Sequence, residues 1–120
     1  MLPTEFKIEA YVDATQASPF EAWFNALPAQ PAAKVTVALG RIARGAHSSL
    51  KGVGEGVFEF RIDSGPGYRI YLGRDGERLV ILLGGGTKRR QHADIAAAKT
   101  RWADYKARRA LARKGEHRCP

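Results

Sequence analysis

Between Val57 and Lys88 apolar and polar side chains alternate with the two-residue period of β-strands. Phe58, Phe60 and Ile62 alternate with Val57, Glu59, Arg61 and Asp63, which predicts a half-buried strand. From Tyr68 to Gly73 the same rule puts Tyr68, Ile70 and Leu72 on one face and Arg69 and Tyr71 on the other. Leu79 to Leu83 is apolar throughout, as a strand covered on both faces would be. Ser64-Gly65-Pro66-Gly67 and Asp75-Gly76 supply turn residues that tolerate positive φ. Connections this short leave no room for a crossover helix, so the three strands are expected to run as an antiparallel meander. Arg61 and Arg69 then share the face opposite Phe60 and Ile70. A packed core has no use for two unpaired guanidinium groups, so that face is expected to be open to solvent or to a charged partner.

The remaining chain extends this pattern. Phe6, Ile8, Ala10 and Val12 alternate with Lys7, Glu9 and Tyr11, predicting a fourth strand. Ser18-Pro19-Phe20-Glu21 reads as a helix start, with Ser18 as N-cap and Pro19 at the first helical position. Phe20, Trp23, Phe24 and Leu27 follow at helical spacing and are expected to be core residues. A second helix starting near Pro31 would turn Val35, Ala38, Leu39 and Ile42 inward and stop at Gly45. The two helices form a hairpin expected on the face that bears Phe58, Phe60 and Ile70. Residues 46–56 read as loop. Ile95, Ala98, Trp102 and Tyr105 mark a third helix, and residues 111–120 read as a frayed basic tail. The order β-α-α-β-β-β-α predicts an α+β fold with an antiparallel sheet, residues 1–110 forming one domain.

Composition narrows the partners. The 120 residues suffice for one core. Residues 1–60 hold five Lys/Arg against six Asp/Glu, whereas residues 61–120 hold fifteen against six. This asymmetry favours a polyanion bound by the second half. No apolar run approaches the ~20 residues of a spanning helix. The start lacks a signal-peptide layout, so a cytoplasmic protein without a membrane partner is expected. The lone Cys119 excludes an intrachain disulfide.

Two glycine-rich stretches resemble nucleotide motifs only superficially. Gly52, Gly54 and Gly56 have no strand before and no helix after them in this reading. Gly84-Gly85-Gly86-Thr87-Lys88 lacks both the spacing of a phosphate loop and the hydroxyl residue after its lysine. No His, Asp or Cys set has metal-ligand spacing, and no cofactor is expected.

The blocks F-x-x-W-F (Phe20 to Phe24), S-L-K-G (Ser49 to Gly52), F-R-I-D-S-G-P-G-Y-R-I-Y (Phe60 to Tyr71) and L-L-G-G-G-T-K…D-I…A (Leu82 to Ala98) carry a family resemblance. Over residues 5–105 the chain resembles the RelE/ParE superfamily of toxins, and within it the HigB-like addiction module killer branch. The resemblance implies a bacterial toxin–antitoxin module whose antitoxin partner is a helix-turn-helix DNA-binding protein. RelE-like and HigB-like members cut mRNA on the ribosome, whereas ParE-like members inhibit DNA gyrase. Fold alone does not choose between them. The resemblance places a phosphate-binding, transition-state-stabilising role on Arg69, a basic position of the preceding strand on Arg61, and a basic position after the last strand on Lys88 or Arg89. Lys51 falls where the family is often basic. The catalytic tyrosine of RelE, seven residues beyond that lysine, corresponds to Ile95, so RelE's acid–base assignment does not transfer whole. None of the three histidines takes the place of that tyrosine by position; His92 lies near the basic cluster and could titrate, yet a helix-surface histidine is more often inert.

Metal-free RNA cleavage uses the substrate's 2′-hydroxyl as nucleophile. The protein must then stabilise negative charge at the phosphate and move two protons. Arginine pairs grip non-bridging oxygens bidentately, and stabilising that charge is the greatest contribution such a site makes. The expected catalytic set is Arg61, Arg69 and Lys88. The expected RNA contacts are Lys51, Tyr71 (stacking on a base), Arg89 and Arg90. A gyrase inhibitor and a non-catalytic RNA- or ribosome-binding module remain as alternatives, and Arg61 and Arg69 could instead pair with Glu59 or Asp63.

Overall fold

The computed structural model describes residues 5–63 and 65–117, with side chains through Lys114. Ser64 of the expected turn and Cys119 lie outside them. The three alternating segments form the predicted meander of β3 (Val57–Ile62), β4 (Tyr68–Asp75) and β5 (Leu79–Thr87). Gly65 and Gly67 at the first turn and Gly76 at the second take positive φ. β1 (Lys7–Ala10) lies on the far side of β5 and pairs with it in parallel, Lys7 opposite Leu79 and Ala10 opposite Leu82. The sheet is therefore mixed and not wholly antiparallel. Alternation tells which face a side chain takes, but it carries no information on the direction of a neighbouring strand.

The stretch read as loop contains a fifth strand, β2 (Leu50–Gly54), which pairs antiparallel with β3 and completes the order β1-β5-β4-β3-β2. Its hairpin turns at Glu55 and Gly56, both at positive φ, the geometry that suits the twist of the flanking strands. Two glycines in five residues and a register shift between Gly52 and Gly54 remove the alternation that would have revealed it.

α1 (Pro19–Asn25) starts as its sequence predicts, the Ser18 hydroxyl accepting the Glu21 amide at 3.2 Å. α2 (Ala29–Ala43) begins two residues before Pro31 and ends at Gly45, whose φ of 90° needs a glycine. Phe20, Val35, Ala38 and Ile42 pack on Phe60, Ile70, Leu72, Val80 and Leu82, with Trp23 and Phe24 against the same cluster. The expected hairpin thus covers the expected face. Fully burying each such side chain contributes about 1.5–3 kcal/mol.

The opposite face is not open. α3 (Gln91–His117) lies across it, with Ala98 and Trp102 packed on Val57, Tyr71, Ile81 and Leu83. The inward stripe is the predicted one, yet the helix runs on to His117, into the segment read as a frayed tail, with Leu111 exposed. Both faces being covered explains why Val80 to Leu83 is uniformly apolar and buried. Among the described residues no helix is long and apolar enough to cross a membrane.

Candidate functional site

Strand register lines up the candidate residues in two rows. One row across the sheet runs Lys51, Glu59, Tyr71, Gly84, and the next runs Arg61, Arg69, Gly86. Lys51 and Arg61 are exposed, whereas Glu59, Arg69 and Tyr71 are buried, with relative exposures of 1%, 3% and 0%. The Glu59 Oε2 atom accepts from the Tyr71 hydroxyl at 3.1 Å and from Gln91 Nε2 at 2.8 Å. It also stands 3.5 Å from Arg69 Nε, an ion-pair contact, while Nε itself has no hydrogen-bond partner. Arg69 Nη1 donates to the Gly67 carbonyl at 3.0 Å, and the Lys88 amide donates to the same oxygen at 2.9 Å. One carbonyl in the turn before β4 therefore links Arg69 to Lys88.

Two expectations are corrected here. Arg69 does not project from an open face, and Tyr71 is not presented to stack on a base. Both are buried, Tyr71 beneath α3, and the counter-charge on Glu59, one strand away, lets the Arg69 guanidinium be buried. For Arg69 it is the alternative, pairing with Glu59, that the structure shows. Arg61 is exposed and lines an open groove of about 550 Å³ with Lys34 and Arg41 of α2 over Ala38 and Phe60. Lys88, Arg89 and Arg90 form an exposed 3-10 turn joining β5 to α3. The predicted residues divide into an exposed basic set (Lys51, Arg61, Lys88, Arg89, Arg90) and a buried pair (Arg69, Tyr71). His92 is exposed on the first turn of α3, and Ile95 packs on the core as its apolar character predicts.

Electrostatics follow the enclosure. Burial, and then the negative charge of Glu59, push the Tyr71 phenol well above its ordinary value. Burial also raises the Asp94 carboxyl, against the opposing pull of Arg90 and Arg101. Asp94 lies against Gly86, where an added Cβ would overlap its Oδ2 atom. Arg101 Nη1 donates to the Leu83 carbonyl at 3.0 Å and passes 2.7 Å from the Cβ position of Gly84. On the other face a Cβ on Gly85 would run into the Trp23 ring. The glycine run is strand whose neighbours take the place of side chains. It is not a phosphate loop.

Sequence reasoning did not single out Glu59, Gln91 or Asp94 as functional. Gln91 and Asp94 were visible within the block after the glycines. Glu59 signalled itself only as an acid on the arginine face. Among the described residues no group of three or more His, Cys, Asp or Glu side chains is placed to hold a metal ion.

Residues 22–112 match the family described as phage-derived protein Gp49-like (DUF891). An uncharacterized protein of Haemophilus influenzae is 43% identical over 81 residues, 67% of this chain and 82% of that protein. Among solved structures, the fold is similar to a chain of the toxin–antitoxin complex RelBE2 from Mycobacterium tuberculosis. That likeness has a TM-score of 0.56 at 18% identity and covers 70% of this chain and 99% of the other.

Proposed function

The chain belongs to the phage-derived Gp49-like (DUF891) family, and from that premise we propose that it is the toxin of a type II toxin–antitoxin module. The solved structure of similar fold comes from a toxin–antitoxin complex, which supports this reading. The cognate antitoxin is then a small helix-turn-helix protein whose gene adjoins this one. Its acidic segments would dock quickly and salt-dependently on the basic surface of the second half.

The chemistry we assign is cleavage of mRNA on the ribosome. One observation carries it: Arg61 and Arg69 are direct cross-strand partners, and Arg69 shares the Gly67 carbonyl with Lys88. The backbone positions of these three basic residues thus neighbour one another at one end of the sheet, which supports the reading. Lys51, Arg89 and Arg90 would track the RNA backbone on either side. The substrate's 2′-hydroxyl attacks the adjacent phosphorus and gives up its proton to solvent. The bond from phosphorus to the 5′ oxygen breaks, and that oxygen leaves as a hydroxyl after taking a proton. The arginines stabilise the charge that grows on the non-bridging oxygens.

Purified protein given translating ribosomes should shorten mRNA to fragments with 2′,3′-cyclic or 3′-phosphate ends and 5′-hydroxyls, with or without chelator. Intact mRNA would end the nuclease reading.

The burial of Arg69 and Tyr71 favours a second reading, in which the exposed cations bind RNA, the ribosome or gyrase without cutting. Loss of supercoiling by gyrase alongside intact mRNA selects the gyrase form. Salt-sensitive RNA binding alone selects the other.

A further inference from the structure

We propose that Glu59 is a positioning residue that holds the Arg69 guanidinium in the orientation an incoming phosphate requires. The inference rests on the cleavage reading, in which Arg69 meets the phosphate.

Glu59 is a poor choice for stability alone. Its side chain is 1% exposed, on a face otherwise packed with Val57, Ile81, Leu83 and Trp102. Burying a carboxylate costs several kcal/mol before compensation, and an apolar residue of similar volume commonly does as well or better in such a place. What the carboxylate supplies is geometry. Its Oε2 atom meets Tyr71 and Arg69 from β4 and Gln91 from α3. Those contacts fix one carboxylate oxygen against three side chains on two elements.

Arg69 is anchored on two sides, by Glu59 near Nε and by the Gly67 carbonyl at Nη1. One hydrogen bond at Nη1 and one ion-pair contact at Nε hold the guanidinium and use only part of its fork of donors. The pair is not a detachable latch. Glu59 and Arg69 sit on hydrogen-bonded neighbouring strands, so the sheet fixes the spacing of their backbones. The carboxylate is a permanent part of the site, and it offsets one positive charge there. It therefore weakens attraction for RNA while it sharpens the placement of Arg69.

That opposition gives the test its signature. Glu59→Gln keeps the volume and an acceptor oxygen but removes the charge. In full-length protein it should lower kcat at least tenfold while KM for ribosome-bound mRNA stays level or falls. Combined with Arg69→Lys, it should add no further loss, because it acts through Arg69. A residue that served only the fold would reduce activity by the fraction unfolded, without this split.

Exchange of the Arg69 Nε proton, followed by nitrogen-15 spectroscopy and assigned with Arg69→Lys, reads the anchoring without any activity. It should be slow in the wild type and at least tenfold faster in Glu59→Gln. Wild-type kcat in a folded Glu59→Gln, a loss confined to KM, or unchanged Nε exchange would each overturn the proposal. Intact mRNA with the wild-type protein would instead overturn the cleavage reading, and with it a catalytic role for this anchoring.

Discussion

Arg61 and Arg69 stand directly opposite each other across β3 and β4, yet Arg61 is exposed while Arg69 lies buried 3.5 Å from the Glu59 carboxylate. Their substitutions should therefore differ. Arg61→Ala should change stability by no more than about 0.5 kcal/mol. Arg69→Ala strands Glu59 without its counter-charge and should cost about 3–5 kcal/mol. Urea unfolding of the two variants checks this, and equal midpoints would contradict the burial of Arg69. Lost toxicity in Arg69→Ala thus has to be read beside its stability, and Arg69→Lys, which keeps the charge, is the cleaner probe.

Gly85 and Trp23 form a second coupled pair. A Cβ at Gly85 would sit well inside van der Waals contact with the indole, so Gly85→Ala must displace the ring or the strand. Overpacking of this kind costs about 1–3 kcal/mol. Trp23→Leu should lose packing by itself but relieve the clash, so the double variant should be less destabilised than the sum of the two. Simple additivity in thermal melts would show that the two positions do not touch.

Alkaline pH should weaken the fold through its tyrosines. Burial raises the Tyr71 phenol, and burial with the hydrogen bond to Asp75 raises Tyr105 to about 12. The folded state thus retains protons that the unfolded chain releases near its ordinary value of about 10. Stability from these groups is complete below that pH and is lost as pH rises through the folded values. Melting temperatures measured upward from pH 9 should fall, and Tyr71→Phe should flatten the decline. An unchanged slope in that variant would mean that Tyr71 is not enclosed.

Ending the chain at Ala110 should leave the domain folded. Leu111 is exposed, and the contact of Arg113 with Asp75, at 3.9 Å, lies at the surface, so the loss should be below about 1 kcal/mol. The removed residues include Arg113, Lys114 and Arg118 against Glu116. RNA binding by the shortened chain should show a shallower salt dependence. A large drop in melting temperature would show that the end of α3 is structural.

Much of the architecture was legible because it is local. The Ser18 cap, the stripe through Phe20 and Trp23, and the inward set Ile95, Ala98, Trp102 and Tyr105 each follow from 3.6-residue periodicity within one segment. β2 was not legible, because glycines at 52 and 54 leave too few side chains to alternate. Of the candidate site, Arg61 could be named from residue type and strand face, whereas Lys51, Lys88, Arg89 and Arg90 rest on their charge and on what the family resemblance implies. The meeting of Arg69 and Lys88 at the Gly67 carbonyl, and the placing of Arg61 opposite Arg69, depend on register and turn geometry.

By itself the sequence determined which side chains share a face, where the chain turns, and that the second half carries the positive charge. Only the tertiary structure decided that β1 runs parallel to β5 and that α3 closes the face bearing Arg69. Only there does Glu59 become the partner of Arg69, Tyr71 and Gln91. The reason is physical. Periodicity records whether a position looks inward or outward along its own element, whereas burial of a charge depends on which distant element docks over it and brings or traps the opposite charge.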